Sequence, residues 1–397
     1  MKYPLMFAAL LCGCLFSTAA FAKAEYQPGF DFCSGKVRVT PTVNFSLFWE
    51  SNIGNSAAHE ESGFGWRIQP AVGFSYNAKR TTFGSNAFYT LERMFDSDKG
   101  GDSDSYGITF SLLHKITERL RLTSNASYTR SENDNFYWTN SPDQPGQVDK
   151  DETENYNFNV ALGLNAKRWH GSVGAGWRRT EYLDKNGQTS DAMTVSVMAG
   201  RAIGAHTYWD FSLATTIDRP SDGDDSVAYI LMTGVSGEVS ERTSYSALAG
   251  ASIYQYNGIE DETAIGPSYN ISGSYRLTRK ATLSLMASSR YESEYAGGGA
   301  SKHSYLFAHT LTAAMNYQWT DIFSTRLDVR YNLEQQETVA GYAARGDRTY
   351  WQANFSAYYQ FNPFASLFGN ISYSMDEYDA GSERDNTRCS LGLSVRF

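Results

Sequence analysis

The segment 388–397 reads RCSLGLSVRF, and apolar side chains alternate in it with polar or small ones up to the last residue. Successive side chains of a β-strand point to opposite faces. The odd-numbered positions therefore form an apolar face and the even-numbered positions a polar face. The pattern predicts a strand between an apolar and an aqueous environment, with an amphipathic strand of a soluble sheet as the alternative.

The same alternation recurs along the chain in segments of roughly 10 to 14 residues, separated by turn-forming residues. We count about eighteen segments, one of which, 243–256, has an ambiguous phase. Tight connections such as 77–80 and 167–168 alternate with long ones rich in Asp, Gly, Ser and Asn, namely 96–104, 132–152, 218–225 and 377–385. A soluble β-propeller has a similar period, but each unit here holds two strands rather than four.

The composition separates a membrane barrel from a membrane helix. Mean hydropathy is −0.44 and the net charge is −9, and after residue 22 no stretch has the roughly 18 apolar residues of a spanning helix. Aromatic residues nevertheless make up 15% of the chain. Because lipid cannot satisfy backbone polar groups, a chain without apolar helices crosses a membrane only as a closed barrel. We therefore predict an all-β fold, a transmembrane antiparallel up-and-down β-barrel of about 18 strands.

The amino-terminal residues predict export. Lys2, the apolar run that follows it and Ala20-Phe21-Ala22 indicate a secretory signal peptide. The predicted organisation is a signal peptide at 1–22, a short periplasmic segment at 23–35 and the barrel at 36–397. Lipidation at Cys14 is an alternative. Cys33 and Cys389 should lie at different heights in the barrel, so we predict two separate thiols rather than a disulfide.

The connection lengths predict the orientation in a bacterial outer membrane. Short turns and both termini should be periplasmic, and the long loops extracellular. The expected partners are outer-membrane lipid, lipopolysaccharide and the barrel assembly machinery, with a homotrimer as an open alternative and no nucleic acid. Aromatic residues at strand ends should form two interfacial belts, among them Trp49, Trp169, Trp177, Trp209, Trp319 and Trp351.

The polar faces of the strands carry more arginine than carboxylate. Arginines that line a pore favour anions. Alternatively they pair with inner carboxylates such as Glu50, Glu92, Asp210 and Glu292 and only brace the wall, and the sequence leaves both interpretations open. The predicted pore-lining residues are Arg38, Arg67, Arg121, Arg178, Arg276, Arg290, Arg326, Asp328, Arg330, Arg388 and Arg396.

Catalytic and metal-binding patterns are weak in this sequence. The six histidines are scattered, and no nucleophile elbow, HExxH, CxxC or phosphate loop occurs. The acidic loops could hold calcium or bridge lipopolysaccharide phosphates, but their spacing matches no EF-hand loop. We predict no enzyme, no cofactor and no metal site; His303 is the most testable catalytic candidate.

Two resemblances follow from short motifs. A carboxy-terminal strand that ends in an aromatic residue resembles the signal read by the outer-membrane assembly machinery, which implies roles for Gly392, Leu393, Val395 and Phe397. The element at 48–53, FWESNI, together with IQPAVGFSY at 68–76, resembles a putative β-barrel porin family. Some members of that family are associated with exopolysaccharide and exosortase systems. The resemblance implies location and architecture, and it transfers no catalytic residue.

The sequence therefore predicts a porin-like passive channel with a preference for anionic solutes. A conduit or accessory barrel for exopolysaccharide secretion is the second hypothesis. A structural or adhesive surface barrel whose lumen is blocked is the third.

Overall fold

A computed structural model gives the fold of this protein. The structure describes residues 28–33, 35–53, 62–96, 101–137, 147–183, 188–221, 225–257, 262–293, 304–338, 347–378 and 383–397. The predicted signal peptide lies outside the described residues. Among the described residues no helix is long and apolar enough to cross a membrane.

Nineteen strands occur in the described residues. In chain order they are β1 (Phe30–Phe32), β2 (Val37–Glu50), β3 (Gly63–Asn77), β4 (Thr81–Met94), β5 (Ser103–Lys115), β6 (Leu120–Tyr137), β7 (Gln147–Asn165), β8 (Trp169–Tyr182), β9 (Gln188–Ala202), β10 (Thr207–Pro220), β11 (Asp225–Ser240), β12 (Thr243–Asn257), β13 (Glu262–Arg276), β14 (Ala281–Ser293), β15 (Ser304–Gln318), β16 (Phe323–Thr338), β17 (Arg348–Asn362), β18 (Ala365–Tyr378) and β19 (Glu383–Arg396).

Strands β2 to β19 form a closed barrel. Each strand pairs antiparallel with the next along the chain, and β19 pairs with β2 to close the ring. Closure uses nine register pairs, from Arg388 opposite Glu50 to Arg396 opposite Thr42. The predicted all-β, up-and-down antiparallel barrel of 18 strands is confirmed.

Several short turns are stabilised by a side-chain oxygen that accepts a backbone N–H group of the same turn. In the turns after β5, β13 and β15, a threonine hydroxyl oxygen accepts a backbone N–H two or three residues later: Thr117 from Leu120 at 3.0 Å, Thr278 from Lys280 at 3.1 Å and Thr320 from Phe323 at 3.1 Å. Hydroxyl and amide side chains stabilise turns in this way. Asn362 does the same before β18, accepting from the backbone N–H of Phe364 at 2.8 Å.

The barrel has an apolar outer face and a polar inner face. Many large apolar side chains on the outer face are more than a third exposed in the isolated chain, for example Val195, Leu311 and Ile371. Aromatic rings lie near both ends of this face. Four rings form a row across β5 to β8, with centroids 5.0–6.4 Å apart: Tyr106, Tyr128, Tyr156 and Trp177. At the opposite end Trp319 contacts Tyr317 and Phe323.

Several strands extend further than the polar composition predicts. The loop predicted at 132–152 is wrong at both ends, because β6 continues to Tyr137 and β7 begins at Gln147. The predicted loops at 96–104, 218–225 and 377–385 are likewise shortened by strand residues. At the base of the extended hairpin, Arg130 contacts Glu152 at 2.9 Å and Glu154 at 3.3 Å on β7. Such pairs stabilise a ladder without apolar residues.

A strand that the sequence did not predict lies inside the segment 23–35. β1 pairs with the first residues of β2, next to the point where Phe397 donates its backbone N–H to the carbonyl of Pro41 at 3.0 Å. Arg38 of β2 binds both carboxylate oxygens of Asp31 in β1, at 2.8 and 2.9 Å. This hydrogen bonding lowers the pKa of Asp31 below its ordinary value. β1 therefore continues the line of β19 along the edge of β2.

The two described cysteines are free, as predicted. Cys33 follows β1 and is exposed, with a left-handed φ of 51°. Cys389 lies on β19 opposite Trp49.

Candidate functional site

The polar inner wall is the candidate functional surface. The strand register places Arg67 opposite Glu92 and Arg178 opposite Asn157, on the face away from the exposed apolar side chains. By the same register the predicted pore-lining residues of β2, β3, β6, β8, β13, β16 and β19 all belong to this polar face. It also carries many Ser, Thr and Asn residues, for example Asn155, Asn157 and Asn159 on β7.

A charged network joins the strands that close the barrel. Arg388 of β19 contacts Glu92 of β4 at 2.5 Å and Glu50 of β2 at 3.5 Å. Arg67 of β3 also contacts Glu92 at 2.5 Å, and Glu92 is only 6% exposed. The guanidinium of Arg388 lies 4.1 Å from the ring centroid of Phe48. Because every charge here has a hydrogen-bonded partner, this network braces the closure of the wall.

Three other arginines of the inner wall have partners nearby. Arg326 binds both carboxylate oxygens of Asp328 at 2.6 Å, and Arg330 donates to the amide oxygen of Asn332 at 3.0 Å. Arg348, which the sequence analysis did not single out, binds Asp376 at 2.6 and 2.9 Å and Glu334 at 3.2 Å. The positive charges of Arg326 and Arg348 are thus neutralised on the wall itself.

Other predicted residues lie exposed at the end of the barrel that carries the short turns. Arg121, Arg276 and Arg396 are all exposed near the turn-side ends of β6, β13 and β19. Lys115, missed by the sequence analysis, is directly opposite Arg121 on β5 and is also exposed. Its position on the polar face could have been read from the alternation along β5.

A histidine and an aspartate meet on the inner wall across a glycine. Nε2 of His170 on β8 lies 3.0 Å from Oδ1 of Asp210 on β10, although that oxygen has no hydrogen bond of good geometry. Between them lies Gly200 of β9, where a Cβ atom would collide with both side chains. The ring of Tyr208 packs edge-on against His170 at 4.6 Å. The absence of a side chain at Gly200 is what allows β8 and β10 to be linked.

One seam in the wall is only half closed by backbone hydrogen bonds. The ladder between β13 and β14 runs from Arg276 opposite Thr282 to Tyr269 opposite Ser289 and ends there. The neighbouring ladders, β12 with β13 and β14 with β15, continue to the loop-side end. Pro267 lies two residues beyond Tyr269, so its missing N–H falls on the edge of β13 that faces β14, where it cannot donate to a ladder.

Side chains replace the ladder at this seam. The hydroxyl of Ser289 accepts the backbone N–H of Tyr269 and donates to the carbonyl of Pro267, both at 3.2 Å. The hydroxyl of Ser268 donates to the carbonyl of Ser289 at 3.1 Å. On the outer side, the hydroxyl of Tyr269 lies 3.1 Å from Nδ1 of His309 on β15 and covers Ser289.

Beyond the seam, β14 lies against the inner surface of the wall. The ring of Tyr291 covers the inner side of Gly266, where a Cβ atom would lie 2.8 Å from the tyrosine hydroxyl. The ring of Tyr291 packs on Tyr254 at the inner face of β12 and on Phe307 of β15, with centroid distances of 6.0 and 4.8 Å. The full buried cluster is Ala228, Tyr254, Tyr256, Ala264, Tyr291 and Phe307. The infolded hairpin of β14 and β15 therefore narrows the lumen at its loop side.

This cluster explains the ambiguous phase of the segment 243–256. Leu248, Tyr254 and Tyr256 place large side chains on the inner face of β12, where an open lumen would favour polar residues. Tyr254 and Tyr256 are buried in the cluster with Tyr291 of β14 and Phe307 of β15 instead, and Leu248 is buried elsewhere on β12. The sequence therefore carried a signal for the infolding, because apolar side chains interrupt the apolar–polar alternation of β12.

The predicted assembly residues lie at the closing strand. Leu393 faces Phe45 and Val395 faces Val43 across the closure. A Cβ atom at Gly392 would collide with Phe368 and with the carbonyl oxygen of Phe45, so a larger residue there would disturb the closure. Recognition by an assembly machinery remains a prediction.

Catalytic and metal candidates are not brought together in the described residues. His303 lies outside them, and within them no group of three or more His, Cys, Asp or Glu side chains is placed to hold a metal ion.

Comparison with known proteins gives only distant structural similarities. No family model and no curated protein matches this chain, so the resemblance to a porin family remains a prediction. Among solved structures, the FrpB iron transporter from Neisseria meningitidis is 7% identical, with a TM-score of 0.48, covering 90% of this chain and 81% of the transporter. A ferric enterobactin receptor mutant from Pseudomonas aeruginosa in complex with enterobactin is 10% identical, with a TM-score of 0.48 and coverage of 94% and 82%.

A bacterial polysaccharide outer membrane secretin is also similar, at 10% identity and a TM-score of 0.38, covering 89% of this chain and 98% of the secretin. Identities of 7–10% and TM-scores below 0.5 assign this chain neither a family nor a substrate.

Proposed function

We propose that this chain is a bacterial outer-membrane barrel that acts as a porin-like passive channel, with a preference for anions. The observation that carries the proposal is the closed 18-strand wall, apolar outside and polar inside. A barrel of this size has a backbone diameter of roughly 35 Å, estimated from strand spacing and tilt. The infolded hairpin occupies part of that space, and the remainder is lined by polar side chains.

The orientation belongs to the same proposal. Both ends of the barrel chain, at β2 and β19, lie at the rim with the short turns, which we assign to the periplasm. The long loops then face outward, and the apolar belt contacts lipid and lipopolysaccharide. The signal peptide and recognition by the assembly machinery are parts of the proposal, and a homotrimer stays an open alternative.

The anion preference is assigned chiefly to cations without a carboxylate partner. Arg326 is paired with Asp328, so its field in the lumen is small. Lys115 and Arg121 face each other at the turn-side mouth, and within the described residues neither has an ion-pair partner. Charges exposed to a wide aqueous lumen act over about 10 Å at 0.1 M salt. The proposed preference is therefore modest.

The reversal potential in a planar bilayer under a salt gradient tests this proposal. The wild type should prefer anions, and Lys115→Gln with Arg121→Gln should move the potential toward cation preference. Arg326→Gln with Asp328→Asn is the matched control, because it removes an ion pair of the predicted filter without changing the net charge, and it should move the potential less. An unmoved potential in both double variants would reject the anion preference while leaving the barrel intact.

The alternative with a supporting observation is a conduit for an anionic polymer. The exposed cations at the turn-side mouth favour a conduit over a structural or adhesive barrel, because such a barrel needs no cationic entrance.

A further inference from the structure

The two rims of the barrel carry opposite charge. The short connections, including residues 33–36 before β2, hold nine Lys and Arg against three Asp and Glu. The long connections hold four Lys and Arg against fourteen Asp and Glu. A field of this kind changes sign from one mouth of the lumen to the other.

Ion pairing sharpens the difference between the rims. At the loop-side ends of the strands, arginines contact two carboxylates each, as Arg93 does with Asp102 and Asp104 and Arg179 with Glu181 and Asp191. At the turn-side rim, the exposed cations have no ion-pair partner in the part of the chain that the structure describes: Lys79, Arg80, Arg119, Lys167, Arg168, Arg242 and Arg279. The positive charge of this rim is therefore available to a ligand.

Four cations of the same end are on the inner face rather than on the turn tips. They are Lys115, Arg121, Arg276 and Arg396, all exposed and, within the described ranges, without an ion-pair partner. Glu238 is an exposed carboxylate on the same face of β11 and offsets part of this charge. Lys115 lies directly opposite Arg121. Like charges in that arrangement destabilise a strand pair, so the folded wall alone gives no reason for the two to be neighbours.

We infer that the turn-side mouth of the lumen is a capture site for polyanions, molecules that carry several carboxylate or phosphate groups. The inference rests on the proposed function, because it takes the lumen to be the path. A multivalent anion can contact several unpaired cations at once and release their counterions, so its binding is strongly dependent on salt. The acidic loop-side rim repels the same molecule, which makes capture specific to one side.

The inner-face position of Lys115, Arg121 and Arg276 favours a ligand that enters the lumen over one that stays at the membrane surface. Cations at the turn tips would equally contact anionic lipid headgroups. A test must therefore separate the inner set from the tip set.

The first experiment measures binding of polygalacturonate to the full-length barrel in detergent, with neutral dextran as the control polymer. Lys115→Gln, Arg121→Gln and Arg276→Gln together should weaken binding about ten-fold or more at low salt, and they should reduce its salt dependence. The tip variant Arg80→Gln, Lys167→Gln and Arg168→Gln should retain most of the binding. A heat-modifiability gel confirms that each variant is folded.

Three outcomes would overturn the inference. They are equal binding of dextran, loss of binding only in the tip variant, and wild-type affinity in the inner variant. Loss in the tip variant alone would assign the rim to lipid headgroups. Because this assay requires no conduction, a barrel that binds the polymer without conducting would contradict the proposed function and leave the capture site standing.

The second experiment tests the side. Polygalacturonate is added to one chamber of a planar bilayer that contains a single conducting barrel, and then to the other chamber after washing. Block from one chamber only is the expected result, and it should be lost in the inner variant. Equal block from both chambers would overturn the sidedness.

Discussion

At the scale of single residues, the inner wall holds two kinds of arginine. Some are ion-paired and stabilise the wall, and others have no ion-pair partner among the described residues and can contact a ligand. Arg388 is held between Glu50 and Glu92 at the closure, whereas Arg121 faces another cation. The sequence places both arginines on the polar face and cannot distinguish them. The distinction depends on which carboxylates the closed register brings across the strands.

The closure network gives a stability prediction. Within the described residues, Arg388→Gln leaves Arg67 as the remaining ion-pair partner of the nearly buried Glu92. We expect a loss of about 1.5–3 kcal/mol in the free energy of unfolding. Arg219→Gln is the control, because Arg219 and Asp225 are 58% and 50% exposed, and its effect should be about 0–1 kcal/mol. Urea unfolding in lipid vesicles measures both, and equal effects would mean that the network does not brace the closure.

Gly200 gives a second prediction at this scale. Gly200→Ala places a methyl group where His170 and Asp210 meet, and overpacking of this kind typically costs about 1–3 kcal/mol. Gly273→Ala is the matched control, since a Cβ atom there would lie 3.7 Å from the carbonyl oxygen of Ser244, an ordinary contact. A wild-type unfolding midpoint for Gly200→Ala would show that the histidine and aspartate are free to separate.

At the scale of elements, the sequence predicted the strands but not the incomplete ladder between β13 and β14. Alternation identified all eighteen barrel strands, because each one has an apolar outer face and a mainly polar inner face along its length. It missed β1, whose three residues, Phe30–Phe32, are too few to show a period. It also missed the infolding of β14, which depends on Tyr291 reaching Tyr254, a contact between strands that are not neighbours. In the sequence, only Pro267 on β13 and the tyrosines on the inner face of β12 indicated the infolding.

The infolded hairpin predicts a change in pore size. Tyr291→Ala removes the ring that packs on Gly266 and Tyr254, so the hairpin should loosen and single-channel conductance should rise. Tyr275→Ala removes an outward, 43% exposed ring near the turn side of the adjacent strand and should leave conductance unchanged. Equal conductance of the wild type and Tyr291→Ala would place the constriction elsewhere.

The last strand predicts an assembly defect. Deletion of Phe397 removes the hydrogen bond to Pro41 at the edge of β2 and the aromatic end that resembles an assembly signal. We expect normal export across the inner membrane and a reduced amount of folded barrel in the outer membrane. Fractionation followed by an unboiled gel measures this. Normal outer-membrane levels would mean that the terminal residue is not read during assembly.

At the scale of the whole molecule, the barrel has a closed wall, a polar lumen and two rims of opposite charge. The strand count and the two faces were predicted from the sequence, since they follow from periodicity and from the need to satisfy backbone groups in lipid. The difference between the rims follows from connections whose charges the sequence shows, but only the ion pairs reveal which cations remain unpaired. Substrate identity has no comparable local signature.

Single-channel conductance of the purified, folded chain tests the central claim most directly. A sample whose mobility on a detergent gel changes on boiling establishes the closed barrel first. The account predicts stable conductance steps in planar bilayers from such material. A heat-modifiable barrel that inserts and gives no steps would contradict the open polar lumen and leave a structural barrel.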